Sequence, residues 1–459
     1  MNISMADTPP PTKQDHYSYK PLETDDSIRF LVLHPGGRDD PIECSLYHNR
    51  ITECQYRALS YEWGDEGDLG DVITVNNHPS PRAIQKNLED VLREIRQEKE
   101  DVTLWIDAIC INQNDATEKG HQVAMMGKVF READGVIAWL GPAADNSEMA
   151  MDLIAGQESL QPRNNRREFS DNEVEALISI AYRSYWSRIW IMQEFFLAKD
   201  LEIRCGTKAV SFAAFRDYAE AMAKLNSQLH LAHWKRGPDS PPLLIHMVTR
   251  LAPQPSAPDS TLSSRFDGTL FEWIGRSYDC NSQAGNPRDY IYALLGLAED
   301  CTYGDVVPDY DDRDETIRDA LLKVIPICLK SMPAEYRRYS HRKSRARFLV
   351  KYARKMGFTL DSELQKDIAR LMYINPEDVG LGEDIVDGEI DLQGKRVIYK
   401  RSFTAGEFTQ MLRVRKMEDL LKLRDRPLSK MMFHEYLQSL PTFLDLDTLT
   451  KVDDPPAPT

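Results

Sequence analysis

Val102-Thr-Leu-Trp-Ile-Asp-Ala-Ile-Cys-Ile111 is a near-continuous apolar run of strand length. Such runs suit parallel strands that are covered on both faces. Asp107 interrupts it, and a carboxylate in a buried strand needs partners or a task. Working outward, Ile84, Leu88, Val91, Leu92 and Ile95 recur at the spacing of an amphipathic helix before the run. After it, Val123, Met126, Val129 and Phe130 mark a helix over 117–134, and 135–140 reads as a strand closed by Gly141-Pro142. Upstream, 28–33, 56–61 and 72–75 read as strands, the first ending in His-Pro-Gly-Gly and the last turning at Asn76-Asn77. Strand and helix alternate, which predicts an α/β fold built on a parallel sheet flanked by helices.

Ligands of such sheets bind outside the carboxyl ends of the strands. That end gathers the loop after Tyr61, the segment after Asp107 and the stretch Arg188-Ile-Trp-Ile-Met-Gln-Glu-Phe-Phe-Leu-Ala198. The region 173–198 reads as helical with a break near Ser184, and 201–205 as one more strand. Trp186, Ile189, Trp190 and Leu197 share an apolar stripe, and Gln193 and Glu194 sit on it. A carboxylate beside a tryptophan on an apolar face has two readings. It is a rim glutamate satisfied by Arg188 or Arg204, or it is catalytic. Gly64, Gly67 and Gly70 do not make a phosphate cradle, because Asp65, Glu66 and Asp68 lie between them and no lysine follows.

The 459 residues carry a net charge of −16, which repels phosphate backbones and argues against nucleic acid as a partner. No apolar stretch approaches the length of a membrane span, and residues 1–14 lack the apolar core of a secretory signal. Seven scattered cysteines with no Cys-x-x-Cys pair read as reduced thiols of a cytoplasmic protein. His230 and His233 lack a third ligand, so no metal is expected. Residues 1–27 and 453–459 read as disordered tails, and 28–211 as the first domain, with an insertion at about 143–172. A helical extension follows over 212–330, containing helices at 215–233, 270–277, 290–297 and 315–330 and a proline-rich linker at 237–260. The remainder, 331–452, holds a basic segment at 335–355, read as a solvated helix face before an import or acidic-partner segment.

Several ordered motifs together resemble the heterokaryon-incompatibility (HET) domain of filamentous fungi. They are Tyr56-Arg-Ala-Leu-Ser-Tyr-Glu-Trp-Gly64, Leu104-Trp-Ile-Asp-Ala-Ile-Cys-Ile-Asn-Gln113 with Asp115 and Glu118, Gln122-Val123, Trp139-Leu-Gly141 and Ser187-Arg-Ile-Trp-Ile-Met-Gln-Glu194. Downstream, Pro287-Arg-Asp-Tyr-Ile-Tyr-Ala-Leu-Leu-Gly-Leu297 and Val307-Pro-Asp-Tyr310 resemble the segment that trails that domain. The resemblance covers about 56–205 and 286–311 and implies a role in non-self recognition and programmed cell death.

The family is similar in fold to TIR domains, which implies a TIR-like (flavodoxin-like) sheet followed by a mainly helical C-terminal region. Leu59-Ser-Tyr-Glu-Trp-Gly64 is similar to the end of a TIR first strand, with one extra residue and no arginine. Trp190-Ile-Met-Gln-Glu194 has the Trp-to-Glu spacing of the catalytic TIR helix. The resemblance implies Glu194 as the catalytic residue for NAD cleavage, with NAD as substrate and no tightly bound cofactor. Ser60, Tyr61, Trp63, Gly64, Asp107 and Trp190 are the implied NAD-binding residues. Nicotinamide leaves as a neutral molecule from a cationic pyridinium, so one carboxylate that stabilises the developing oxocarbenium charge is sufficient. Trp190 would wall the nicotinamide ring.

Three readings stay open: an NAD-depleting death effector, a non-catalytic module that self-associates, and a regulatory paralogue whose C-terminal part binds a partner. Homo-oligomerisation through the domain and an activating protein partner are expected on the first two.

Overall fold

The computed structural model describes residues 19–64, 67–76, 82–156, 170–219, 268–280, 282–302, 304–310, 317–334, 337–357, 362–379, 388–392 and 395–399. Residues 1–18 of the tail expected at 1–27, the tail at 453–459, the proline-rich linker and the histidine pair lie outside them, whereas 19–27 are ordered against the expectation, ending in the first strand. The nine strands of the main sheet are β1 (Ser27–Leu33), β2 (Glu43–Arg50), β3 (Arg57–Ser60), β4 (Leu69–Val75), β5 (Arg82–Gln85), β6 (Val102–Trp105), β7 (Gly135–Trp139), β8 (Leu201–Cys205) and β9 (Lys208–Ser211). They lie in the order β5-β4-β2-β1-β6-β3-β7-β8-β9.

Four central strands, β6-β3-β7-β8, are mutually parallel. The flanks are not. β1 pairs antiparallel with both β2 and β6, and β9 pairs antiparallel with β8. The expected parallel sheet is therefore the middle of a mixed one. The missed strands explain the difference. β2, with Tyr47, His48, Asn49 and Arg50 facing outward or half out, has no apolar alternation to announce it, and β5 and β9 are four-residue edge strands. Ile84, read as helical, ends up in β5, so the helix begins two residues later.

The helices follow the expected pattern more closely. α1 (Lys86–Ile95) buries Leu88, Val91, Leu92 and Ile95. The run that opened the sequence reading divides: β6 stops at Trp105, and α2 (Asp107–Cys110) begins at the carboxylate itself. Asp107 thus sits at a strand end, with Ala108 N–H donating to its Oδ1 at 2.7 Å. α3 (Ala116–Glu132) starts at Asp115, whose side chain accepts from the Thr117 and Glu118 amides, each at 3.0 Å. Glu118 takes both guanidinium nitrogens of the buried Arg29 on β1, at 2.5 and 2.8 Å. Buried Gln122 donates to Ser27 O at 3.0 Å. Glu118 and Gln122 thus anchor α3 to β1, an interior strand of the sheet, which is a structural task.

The insertion is not all loop, since α4 (Ser147–Ala155) buries Ala150, Met151 and Ile154. The 173–198 stretch becomes α5 (Asp171–Ala181), a 3-10 turn at Ser184–Ser187 and α6 (Ile191–Phe196), with the break where it was expected. Tyr19 also belongs to the folded part: its hydroxyl donates to Ile109 O at 2.8 Å and Arg29 lies over its ring.

Beyond the sheet, α7 (Leu270–Asp279), α8 (Asp289–Leu295), α9 (Ile317–Lys330), α10 (Tyr339–Lys355) and α11 (Ser362–Met372) make up a helical region. The basic segment forms α10. Several of its cations are used internally: Lys343 pairs with Asp378, Arg345 donates to Cys328 O at 3.2 Å, and Arg347 donates to Asp378 O at 3.0 Å. A separate unit holds, among the described residues, an antiparallel hairpin of Gly388–Leu392 and Lys395–Tyr399. All seven cysteines are unbridged. Among the described residues no helix is long and apolar enough to cross a membrane, and no group of side chains has metal-ligand geometry.

Candidate functional site

Along the chain, β3 comes first of the four parallel strands, β6 second, β7 third and β8 fourth, and β3 lies between β6 and β7. Strand order reverses beside β3, the point at which open α/β sheets leave a crevice at their carboxyl ends. Ser60 is the last residue of β3, and Asp107 follows the end of β6. The 3-10 turn and α6 bring Tyr185, Arg188 and Glu194 to the same place.

Glu194 is 2% exposed. Ser60 Oγ donates to its Oε2 at 2.5 Å, and Ser60 Oγ is also 2.6 Å from the Tyr185 hydroxyl. Arg188 grips both carboxylate oxygens, Nη1 to Oε2 at 3.1 Å and Nη2 to Oε1 at 3.3 Å. The partner is one of the two arginines of the simpler reading, Arg188 and not Arg204, but the pair is not at a rim: Glu194 is buried at the carboxyl ends of the parallel strands. Burial works against the Arg188 charge, and Glu194, Tyr185 and Asp107 more than restore it, so its pKa is raised. Breaking such a pair by removing one partner typically costs about 3–5 kcal/mol, because a buried charge is left uncompensated.

Asp107 stands next to this pair. Burial first, then the Glu194 charge, push its carboxyl up to about 6, while Arg188, the Trp63 indole and the Ala108 amide pull the other way. Trp63 Nε1 donates to Asp107 Oδ2 at 2.9 Å from an indole that is 37% exposed, so this residue roofs the acid. Glu62, beside it, accepts from Ser184 Oγ and ties the β3 loop to the 3-10 turn. Gly64 has φ +85°, a backbone angle that lets the loop turn away after Trp63. Tyr61, next along the chain from Ser60, is buried.

Trp190 goes elsewhere. It is the residue before α6, and its indole N–H donates to Asp289 Oδ2 at 3.0 Å. Tyr310 donates to the other oxygen at 2.7 Å, and Lys119 lies over the Tyr310 ring. Burial raises the Asp289 pKa against these hydrogen bonds. Trp190 therefore clamps the downstream segment and is not tied to Glu194. Gln193 looks the same way: its Nε2 donates to Tyr292 O at 3.3 Å, and its Oε1 lies where a Cβ on Gly296 would come within 2.9 Å.

So the structure brings Ser60, Trp63, Asp107 and Glu194 together, has Tyr61 and Gly64 next to them along the chain, and directs Trp190 to another cluster. Sequence reasoning missed Tyr185, and nothing in the residues around it signals a role. It missed Asp289 and Tyr310 as partners of Trp190, although both lie in the downstream motifs. A cavity of about 530 Å³, bounded by Met125, Lys128, Arg131, Gln193 and Tyr292, opens beside Gln193 and is not lined by Glu194 or Asp107.

The family model described as "Heterokaryon incompatibility protein (HET)" matches residues 56–194. The chain is similar to "Heterokaryon incompatibility protein 6, OR allele" of Neurospora crassa, at 30% identity over 335 residues, 62% of this chain and 49% of that protein. The chain thus spans about half the length of the curated relative it matches. No solved structure matches it.

Proposed function

From the premise that the chain is a HET-domain protein, we propose that it acts in heterokaryon-incompatibility signalling, in the cytoplasm, and that its effector step is hydrolysis of NAD at the crevice beside β3. The observation that carries this reading is a buried carboxylate, Glu194, held by Ser60 and Arg188 at a strand-order reversal with a second acid, Asp107, beside it. The order of the four parallel strands is that of flavodoxin-like sheets, which supports the TIR-like reading of the fold.

In this mechanism the bond between ribose C1′ and the nicotinamide nitrogen breaks heterolytically. Its electron pair goes to the nitrogen, and nicotinamide leaves neutral. Glu194 stabilises the oxocarbenium charge left on the ribose. Water adds at C1′ and loses a proton, and Asp107 accepts it, since a carboxylate with a pKa near 6 is ionised yet basic at neutral pH. Products are ADP-ribose, nicotinamide and a proton. Death of the cell through NAD depletion is the output this reading assigns.

One observation favours a second reading, a non-catalytic module that self-associates: both oxygens of Glu194 are already occupied by protein groups. Purified protein at high concentration, incubated with NAD, separates the two. Nicotinamide release that falls about a hundredfold or more in Glu194→Gln supports the enzyme. A folded, self-associated sample that releases none supports the module.

A further inference from the structure

We propose that Arg188 is the anion-binding residue of this site, and that a dinucleotide enters by exchanging partners with the Arg188–Glu194 pair. The inference rests on the NAD reading and names how the site takes that class of ligand. The Glu194 side chain is 3% exposed and Arg188 holds both of its oxygens, so ribose hydroxyls reach that carboxylate only if Arg188 gives way. Simple removal of Arg188 would leave the acid buried and unpaired, so whatever displaces it must supply compensation on both sides.

NAD has the chemistry to do so. Each phosphate of its diphosphate offers a pair of oxygens that the planar guanidinium fork can take bidentately, as it takes a carboxylate. Its ribose hydroxyls donate to Glu194, and its pyridinium brings a positive charge to replace the one withdrawn. Arg188 is the more accessible member of the pair: its side chain is 17% exposed, against 3% for Glu194. Its backbone is held independently of the ion pair. Ile189 N donates to Gln283 O at 2.9 Å and Gln283 N to Ser187 O at 2.6 Å, so the side chain can swing while the main chain stays paired. Tyr185 lies under the guanidinium, with its ring centroid 6.0 Å from Cζ, and offers a face for it to slide on.

The exchange predicts ligand selectivity apart from turnover. NAD satisfies both charges. NADH lacks the pyridinium charge, and nicotinamide riboside lacks the diphosphate. Calorimetric titration of the full chain with NAD, NADH, ADP-ribose and nicotinamide riboside reads it, with nicotinamide release followed separately. NAD is expected to bind about tenfold or more tightly than the riboside, weakening as salt rises, and more tightly than NADH. Arg188→Gln is expected to erase the advantage over the riboside. Where circular dichroism shows that variant unfolded, Arg188→Lys, which keeps the charge and loses the fork, is expected to reduce the advantage. Equal affinity of wild type for NAD and the riboside overturns the exchange, as does an advantage that survives both substitutions. Selective NAD binding without nicotinamide release leaves the exchange standing and removes the hydrolase reading; release without phosphate selectivity does the reverse.

Discussion

The Trp190 indole donates to Asp289 across 99 residues of chain, at 3.0 Å. With Tyr310 on the other Asp289 oxygen, Gln193 on Tyr292 O, and Ser187 and Ile189 paired with Gln283, this fastens the 283–310 segment onto the helix that carries Glu194. The domain defined by the matched residues 56–194 is thus not self-sufficient in its packing. Its α6 has one face on the sheet and the other on α8.

It follows that a chain cut after residue 219 should not fold, since Trp190, Gln193 and Phe196 would lose Asp289, Tyr292 and the Trp273 ring. A chain ending at 380 keeps these contacts and should give cooperative thermal unfolding. Within the full chain, Asp289→Ala strands two donors and should lower stability by about 2–3 kcal/mol, read by urea denaturation. A loss below about half a kilocalorie would show that the clamp is incidental.

Close backbone approach sets a second expectation. A Cβ added to Gly127 on α3 would lie 2.8 Å from Gly296 Cα, and one on Gly120 would lie 2.4 Å from Pro308 O. Both neighbours are backbone and cannot rotate away. Gly127→Ala and Gly120→Ala should each destabilise by about 1–3 kcal/mol despite the better helix propensity of alanine. Melting temperatures at or above wild type for both would mean that the downstream segment can move aside.

Much of this was legible beforehand, and the exceptions have physical causes. Hydrophobic period gave β1, β3, β6, β7, β8, α1 and α3, because those elements are buried on one or both faces. It could not give β2, whose side chains are half exposed, nor the antiparallel pairing of β1 and β9, since a strand's hydrophobic pattern does not record which way its neighbour runs. The site was half legible. A carboxylate on an apolar stripe singles out Glu194, and the sequence offers it two arginines, Arg188 and Arg204, of which Arg188 is the one that meets it. Direction was not legible: Trp190 shares the stripe with Glu194, yet it precedes a helix of six residues, and its ring turns toward Asp289, a residue far along the chain.

The ion pair itself gives a stability test independent of any ligand. Arg188→Met leaves Glu194 buried without its charge partner and should cost about 3–5 kcal/mol. Adding Glu194→Gln removes the stranded charge and should recover most of that loss. A double-mutant cycle by denaturant unfolding reads the coupling, expected at about 2 kcal/mol or more. Additive losses would mean that the two side chains do not meet in solution.

Acid and base separate the roles of two carboxylates. Glu89, whose burial would raise its pKa, is pulled down to about 2 by the Asp71 amide, Arg93 and Lys86. Its folded pKa lies below its unfolded one, so it contributes stability above about pH 4.5 that is lost as pH falls toward 2. Asp107 has the opposite sign. Its folded pKa is about 6 against an ordinary 3.8, so the native state holds a proton that the unfolded chain has released. The Asp107 contribution therefore grows as pH falls from about 6 to about 4, and ionisation above 6 works against the fold, by roughly 3 kcal/mol at most. Asp107→Asn should accordingly raise stability at pH 7 relative to wild type and lose that advantage near pH 4. In the hydrolase reading the same substitution has a kinetic signature: nicotinamide release by wild type should rise with pH and level off above about 6, and the variant should be slower with that limb absent. A wild-type profile with no inflection between pH 5 and 7 would place the proton acceptor elsewhere.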